Sequence, residues 1–261
     1  MPKFFINPPT ASGEGSSIVI NGEDANHLAR VLRAKSGEEI TATDGQGRLY
    51  KIVLTAVTPE AVHGEILAVT VDHSEPEVKI ALYQSILKGE KMDWVLQKGT
   101  ELGISTFVPF LSSRTVARPA PPQYGKKQER WQKIVTAAAK QSGRGLIPAV
   151  QSIITWEELP PLLTGRFALV AWEAETICSL RQALTGQPQP SAVNLIIGPE
   201  GGFAPEEVAT LVQQGAQSVS LGPRILRAET AGPLTAALIL YHYEALDALE
   251  PSLSTLSRKG R

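Results

Sequence analysis

The chain predicts an α/β protein with a mostly parallel sheet, preceded by a small β-rich domain, and three observations carry that reading. From residue 78 onward, β-branched apolar runs alternate with amphipathic stretches, the pattern of parallel strands joined by crossover helices. Before residue 74, similar runs are separated by glycine turns and one short helical stretch. Near the C-terminus, two glycine-rich segments, IIGPEGGF (196–203) and LGPRILRAETA (221–231), each follow a strand and lead into a helix. Strand, tight glycine loop and helix, twice over, build a small-molecule pocket at the carboxyl ends of parallel strands.

The elements follow in order. GSSIVI, EEITATD, RLYKIVLTAV and AVHGEILAVTV are the expected strands of a first domain, residues 1–73. The helix between the first two can be capped by Asp24 and lays Leu28, Val31 and Leu32 along one face. Arg30 and Arg33 share another face, with His27 one turn earlier. HSEPE (73–77) is the linker to a second domain, residues 74–250. There VKIALYQSI is a strand, and residues 91–102 are a helix with Met92, Val95, Leu96 and Leu102 inward. ISTFVPF is a strand, followed by a Pro-rich loop that carries Arg114 and Arg118. Residues 128–141 are a helix, with Trp131, Ile134, Val135, Ala138 and Ala139 at core-facing spacing. FALVAWE, 193–197 and 219–221 are further strands, and 205–214 and 230–249 further helices. The last helix, with Leu234, Ala237, Leu238, Leu240, Tyr241 and Leu246, is apolar on more than one face. It is either a deep core helix or one covered by both a core and a partner. PSLSTLSRKGR (251–261) reads as a frayed tail.

Composition narrows the function. No apolar run is long enough to span a bilayer, and MPKFFINPPT lacks a signal-peptide core, so a cytoplasmic protein without membrane contact is expected. Cys178 is the single cysteine, which excludes a disulfide within the chain and suits a half-buried structural thiol. The histidines, at 27, 63, 73 and 242, have no metal-ligand spacing, so no metal is expected. Charge is uneven. Residues 1–73 hold 6 Lys/Arg against 9 Asp/Glu, residues 74–150 hold 12 against 6, and residues 151–261 hold 7 against 11. Between Arg114 and Arg144 there are eight basic residues and one acid, Glu129, a candidate phosphate-binding face.

The two glycine loops lack the lysine and spacing of a P-loop and do not fit GxGxxG. Their ligand is therefore one that backbone groups and a few polar side chains can hold. A Gly-Pro or Gly-Gly pair alone marks only a turn. Here Glu200 sits inside a glycine turn, where no core needs a carboxylate, and Arg224, Arg227 and Glu229 crowd the second loop before a helix start. Charges clustered in loops between buried elements point to function.

GPEGGF followed about twenty residues later by LGPRILRAETA resembles the signature of the SPOUT superfamily of RNA methyltransferases, and within it the RsmE family. KGEKMDWVLQKGTELGISTFVPF, ERWQKIVTAAAKQSGRGLIP and HLARVLR are similar to further motifs of that family, so the resemblance spans about residues 3–245. The N-terminus departs from the pattern, with Lys3-Phe4-Phe5 where the family has arginine before the aromatic. The resemblance implies a SPOUT-type α/β trefoil-knot methyltransferase domain with a small N-terminal PUA-like β-barrel domain. It implies a homodimer whose second subunit completes the site. The implied activity is transfer of a methyl group from S-adenosyl-L-methionine to N3 of a uridine in 16S ribosomal RNA of the small ribosomal subunit. Backbone atoms of Ile197, Gly198, Leu221 and Leu226 would hold the adenosine, with Pro199, Glu200, Gly201 and Thr230 around it and Gly222, Ile225 and Ala231 completing the set. Lys3, His27, Arg30, Arg33, Lys88, Arg114, Arg118 and Arg144 would contact RNA.

Uracil N3 is a poor nucleophile until its proton leaves, and the resulting charge spreads over the carbonyl oxygens. A fixed cation near those oxygens stabilises the transition state, and Arg227 is the residue expected to supply it. Glu200 and Glu229 are candidate general bases or ligand anchors. Two alternatives stand beside this reading: another acceptor, such as a ribose 2′-hydroxyl, and a non-catalytic RNA-binding assembly factor.

Overall fold

A computed structural model describes residues 4–6, 14–72 and 74–243. Lys3, His73, Leu246 and the expected tail at 251–261 lie outside the described residues. The first sheet has five strands in the order β1-β3-β4-β5-β2. They are β1 (Phe4–Phe5), β2 (Ser17–Asn21), β3 (Glu39–Thr43), β4 (Arg48–Val57) and β5 (Ala61–Val71). β1 pairs with β3 in parallel and the other pairs are antiparallel, which makes the sheet mixed. The long β4–β5 ladder shifts register twice, between Lys51 and Ile52 and between Leu54 and Ala56. Such irregularities add twist and bend a sheet over its own core. That core is Phe4, Ile18, Ile20, Leu28, Tyr50, Ile52, Leu54, Val62 and Ile66. Gly64 sits where a Cβ would lie 2.5 Å from Ile52 Cγ2, so only glycine lets the strands pair there.

The helix of this domain differs from its sequence reading. α1 (Glu23–Asn26) runs into a wide π-type turn, His27–Val31, with Leu32 N–H donating to His27 O at 3.0 Å. The wider turn changes the angular spacing of the side chains. Leu28 is therefore buried while Val31 and Leu32 are 65% and 46% exposed, and the three do not share a face. Gly22, not Asp24, occupies the N-cap position. The Asp24 carboxylate instead takes the Lys140 ammonium of the second domain at 2.8 Å.

The second sheet has six strands in the order β11-β9-β10-β6-β7-β8. They are β6 (Lys79–Ser85), β7 (Thr106–Phe110), β8 (Ala149–Val150), β9 (Ala168–Ala171), β10 (Ala192–Ile197) and β11 (Gln217–Val219), and every pair is parallel. The helices are α2 (Lys91–Glu101), α3 (Tyr124–Ser142), α4 (Leu159–Leu163), α5 (Leu180–Thr185), α6 (Pro205–Gln213) and α7 (Ala228–His242). Side chains alternate across the sheet, as the strand period requires. Val193, Leu195 and Ile197 of β10 join a core with α2, α3, α5 and α7. Ile196 joins a second core on the opposite face, with Phe203, Val208 and Leu211. β8, α4 and α5 were not legible in the sequence, being only two, five and six residues long. α3 starts at Tyr124, four residues earlier than its apolar periodicity indicates. The preceding Pro121–Gln123 turn leads straight into it, and Gly143, at φ 70°, ends it.

The two domains are joined by the segment after α3. Thr43 Oγ1 donates to Gly145 O at 3.0 Å and Gly47 N–H donates to the same oxygen at 3.3 Å. A Cβ at Gly145 would lie 2.1 Å from Asp72 Oδ2, so the close approach depends on glycine.

Candidate active site

Because the strands of the second sheet are parallel, the loops that leave their carboxyl ends gather at one edge. A cavity of about 840 Å³ lies there. One wall is the loop between β10 and α6, the other the loop between β11 and α7. Ile197, Gly198, Pro199, Glu200, Gly201, Leu221, Gly222, Ile225, Leu226 and Ala231 line it, as do Arg224, Arg227 and Glu229. Thr230 does not line it; it lies in the first turn of α7, where its N–H donates to Arg227 O at 2.9 Å. Ile225 is 86% exposed, whereas Leu226 packs half-buried against the core.

The cavity also contains residues that sequence reading missed: Lys91, Trp172, Glu173, Glu175, Thr176 and Ser220. Residues 172–176 leave the carboxyl end of β9, which lies between β10 and β11. The end of FALVAWE was a visible signal, but only the sheet order puts it beside the glycine loops.

The glycines differ in what they contribute. Gly202 has φ 67°, and a Cβ on it would lie 2.2 Å from Glu173 Oε1. A Cβ on Gly198 would press the Phe203 ring at 3.1 Å. A Cβ on Gly201 would meet Arg114, nearest at its Cβ at an ordinary 3.4 Å. The close-approach requirement therefore falls on Gly198 and Gly202 more than on Gly201.

Anchors hold the first loop in shape. Glu207, buried in α6, accepts from Ala204 N–H at 2.9 Å and from Ser113 N–H at 2.8 Å. Phe203 stacks on Phe110, with ring centres 6.3 Å apart. Gln84 Nε2 donates to Gly198 O at 3.3 Å. Ser85, Ser112 and Thr115 share a buried hydroxyl cluster that fixes the loop after β7, with Ser85 Oγ 2.9 Å from Thr115 Oγ1. From that loop, Arg114 donates to Gly201 O at 3.1 Å.

Charges converge on the cavity wall. Glu200 Oε1 accepts from Lys88 N–H at 3.0 Å and lies 3.5 Å from Lys91 Nζ. Partial burial pushes the Glu200 carboxyl up, but the Lys88 amide, its own amide and the Lys91 ammonium outweigh burial, and its pKa is lowered. Glu175, held by the Ile177 amide first, then Ser218 and the Cys178 amide, is lowered as well. Glu229 Oε2 is buried without a hydrogen-bond partner. It stands 3.6 Å from Lys91 Nζ, and Glu229 Oε1 stands 4.0 Å from Arg227. The Arg227 side chain is 82% exposed.

The residues expected to meet RNA divide into three groups. His27, Arg30, Arg33, Lys88 and Arg114 are exposed, and Arg33 adopts φ 53° at the end of its turn. The Arg118 guanidinium is occupied by the carbonyls of Thr115, Ser112 and Ser113 and so shapes its own loop. Arg144 requires a correction. Its side chain is buried, pairs twice with Glu75, and donates to Thr100 O at 2.9 Å and Ile104 O at 2.7 Å. It fastens the interdomain linker and is closed to phosphate. The basic helix α3 is likewise partly engaged, with Arg130 on Asp93, Lys140 on Asp24 and Lys127 over the Trp131 ring.

A second cavity, of about 670 Å³, lies behind the second glycine loop and shares Ser220, Leu221 and Gly222 with the first. Leu238 and Tyr241 of α7 line it, and with Leu234 they form an exposed apolar stripe. Cys178 is half-buried and takes Gln217 Nε2 at 3.2 Å. Among the described residues, no helix is long and apolar enough to cross a membrane, and no group of His, Cys, Asp and Glu could hold a metal ion.

Comparison with known proteins bears on this geometry. Residues 74–240 match the RNA methyltransferase domain family and residues 20–67 the RNA methyltransferase PUA domain family. The chain is 32% identical over 252 residues to ribosomal RNA small subunit methyltransferase E of Bacillus subtilis, covering 94% of this chain and 98% of that one. It is similar to the crystal structure of a ribosomal RNA small subunit methyltransferase E from Neisseria gonorrhoeae bound to S-adenosyl methionine, with TM-score 0.78, 32% identity, and 92% and 97% of the two chains covered. A putative methyltransferase from Legionella pneumophila, in complex with the bound cofactor, matches with TM-score 0.78, 30% identity, and 92% and 98% coverage.

Proposed function

This chain belongs to the ribosomal RNA small subunit methyltransferase E family, and from that premise we propose that it methylates N3 of an unpaired uridine in 16S ribosomal RNA. It is an S-adenosylmethionine-dependent methyltransferase of small-subunit ribosomal RNA. The single observation that carries the reading is the cavity between the two glycine loops. Its volume of about 840 Å³ lies in the range of small-molecule sites, and glycine and apolar residues line it beside a set of charged side chains. The chain's residues fit the cofactor. A Cβ on Gly222 would meet nothing within 4 Å, which leaves that turn open to close contact, and the unbonded Glu229 Oε2 is an acceptor for a ligand N–H or O–H.

When bound, S-adenosylmethionine supplies an electrophilic methyl carbon on a sulfonium. The protein's task is to align the acceptor with it and to make that acceptor nucleophilic. A uridine N3 engaged in pairing cannot react, so the base is bound unpaired or extruded. Arg227 lies at the start of α7 on the cavity wall with its guanidinium turned to solvent, the side from which a base enters. There it stabilises the charge that develops on the uracil oxygens. Glu200, ionised and doubly engaged, suits an anchor of the loop. Glu229 is the carboxylate with an open acceptor atom.

Three finer features belong to the same proposal. The bulged mixed sheet supports a PUA-like barrel that brings Arg30 and Arg33 to RNA phosphates. β11 lies at the sheet edge, yet α7 packs on β10, β6 and α2, and this return across the sheet supports a trefoil knot. The Leu234–Leu238–Tyr241 stripe supports a homodimer whose second copy approaches the Leu221–Gly222 turn. A substrate in the small ribosomal subunit implies a cytoplasmic location. The test is mass-spectrometric mapping of the methylated nucleotide after incubating small subunits with labelled cofactor. N3-methyluridine in 16S RNA is expected; a ribose-methylated product, or binding without product, overturns the assignment.

A further inference from the structure

Three segments remote in sequence meet at one ammonium. The turn after β6 brings the Lys88 N–H to Glu200 Oε1 at 3.0 Å. Lys91 then opens α2 and lines the cavity. Its Nζ stands 3.5 Å from Glu200 Oε1 in the first glycine loop and 3.6 Å from Glu229 Oε2 in the first turn of α7. Neither separation is that of a well-formed hydrogen bond, so the ammonium is shared between two carboxylates. Glu229 presents its other oxygen 4.0 Å from Arg227. Two cations and two anions thus occupy one wall of the cavity.

We propose that Lys91 is a positioning residue for methyl transfer: its ammonium holds the Glu229 and Glu200 carboxylates, and so leaves the Arg227 guanidinium turned toward the acceptor base. The proposal rests on the reading of Arg227 given above. Glu229 is only 16% exposed, and its Oε2 has no hydrogen bond. A carboxylate in that setting needs a cation beside it. With Lys91 present the need is met from the α2 side. Without it, the nearest cation is Arg227, whose side chain is 82% exposed and able to swing. A guanidinium meets a carboxylate through two parallel hydrogen bonds. Arg227 would close the 4.0 Å gap to Glu229 and withdraw from the acceptor. Lys91 therefore acts on the reaction through the arginine, without touching the reacting atoms.

The experiment is single-turnover methylation of the cognate small subunit, with cofactor affinity measured separately by calorimetry. Four variants are compared: Lys91→Met, Lys91→Arg, Arg227→Ala and the Lys91→Met/Arg227→Ala double. Lys91→Met should slow the step by roughly ten- to a hundredfold, less than loss of the donor itself. Lys91→Arg should recover most of that rate, because the shared charge is restored. The double variant should be no slower than Arg227→Ala alone, since residues acting as a unit are not additive. Lys91→Gln repeats the charge deletion should methionine at 91 impair folding. Losses that multiply in the double variant overturn the proposal and leave Arg227 in its role. An unchanged rate in Arg227→Ala overturns both.

Discussion

At the scale of single residues, Arg227 and Arg144 show how far one side-chain type can diverge with its surroundings. Arg227 is exposed on the cavity rim, and Arg144 is enclosed by Glu75 and two carbonyls. Replacing Arg227 with alanine should lower the methyl-transfer rate by about 10²–10³ while cofactor affinity changes far less. Single-turnover rates and calorimetry separate the two, and a parallel loss of affinity would make the arginine a cofactor anchor. Replacing Arg144 with methionine leaves the Glu75 carboxylate buried and unpaired. The expected cost is about 3–5 kcal/mol of stability, read from urea unfolding, with the salt dependence of RNA binding unaltered. A reduced salt slope in that variant would restore Arg144 to the RNA face. Glycine is equally position-specific. Gly202→Val, with its positive φ and the Glu173 contact, should abolish cofactor binding, whereas Gly201→Ala should be tolerated.

At the scale of elements, the first glycine loop is held from three sides: by α6 through Glu207, by the β7 loop through Arg114, and by the β6–α2 turn through Glu200. The Glu200 contact carries a pH dependence. Its pKa is lowered from the ordinary 4.5, so its contribution is complete above that value and is lost as pH falls through the depressed folded value. Cofactor affinity should therefore hold through neutral pH and weaken only well into the acid range. Glu200→Gln should flatten that acid limb, and an acid limb of unchanged shape in the variant would remove Glu200 from the loop's anchoring. The helix of the first domain offers the complementary test. Arg30 is exposed on its π-type turn and Arg33 just beyond it. Each alanine substitution should shrink the slope of log K against log salt by roughly 0.7–0.9 for every phosphate left without its cation. Slopes that match the parent protein in both variants would move the RNA elsewhere.

At the scale of the whole molecule, the segment from Arg144 to Ile147 makes the two domains one framework. Its backbone pairs with the 43–47 turn while its arginine grips the linker. The exposed Arg30 and Arg33 of the first domain, the proposed phosphate contacts, thereby belong to one framework with the cavity of the second. The α7 stripe bears on assembly. For the proposed homodimer, Leu238→Glu should give a monomer in sedimentation analysis and lower activity, because the exposed stripe adjoins the Leu221–Gly222 turn. A variant that sediments as its parent does would remove that stripe from the interface.

The sequence by itself determined the alternation of strands and helices, the two glycine loops, and the charged residues set between them. These are local properties: the period of apolar residues, the turn chemistry of glycine and proline, and motif spacing are all written within a few neighbours. The tertiary structure alone decided three further things. Arg144 looked like part of a basic stretch, and only the fold, by bringing Glu75 and two carbonyls around it, made it a buried clamp. Val31 and Leu32 followed helical spacing, and only a widened turn, packed on a bulged sheet, placed them outside. Glu173 closed an expected strand and Lys91 lay in a segment similar to a family motif, and only the strand order β11-β9-β10-β6 put them on the cavity wall. The physical reason is common to all three. A charge's partner, an apolar residue's burial and a loop's neighbour depend on contacts between segments tens of residues apart, and sheet order sets those contacts where local periodicity is silent.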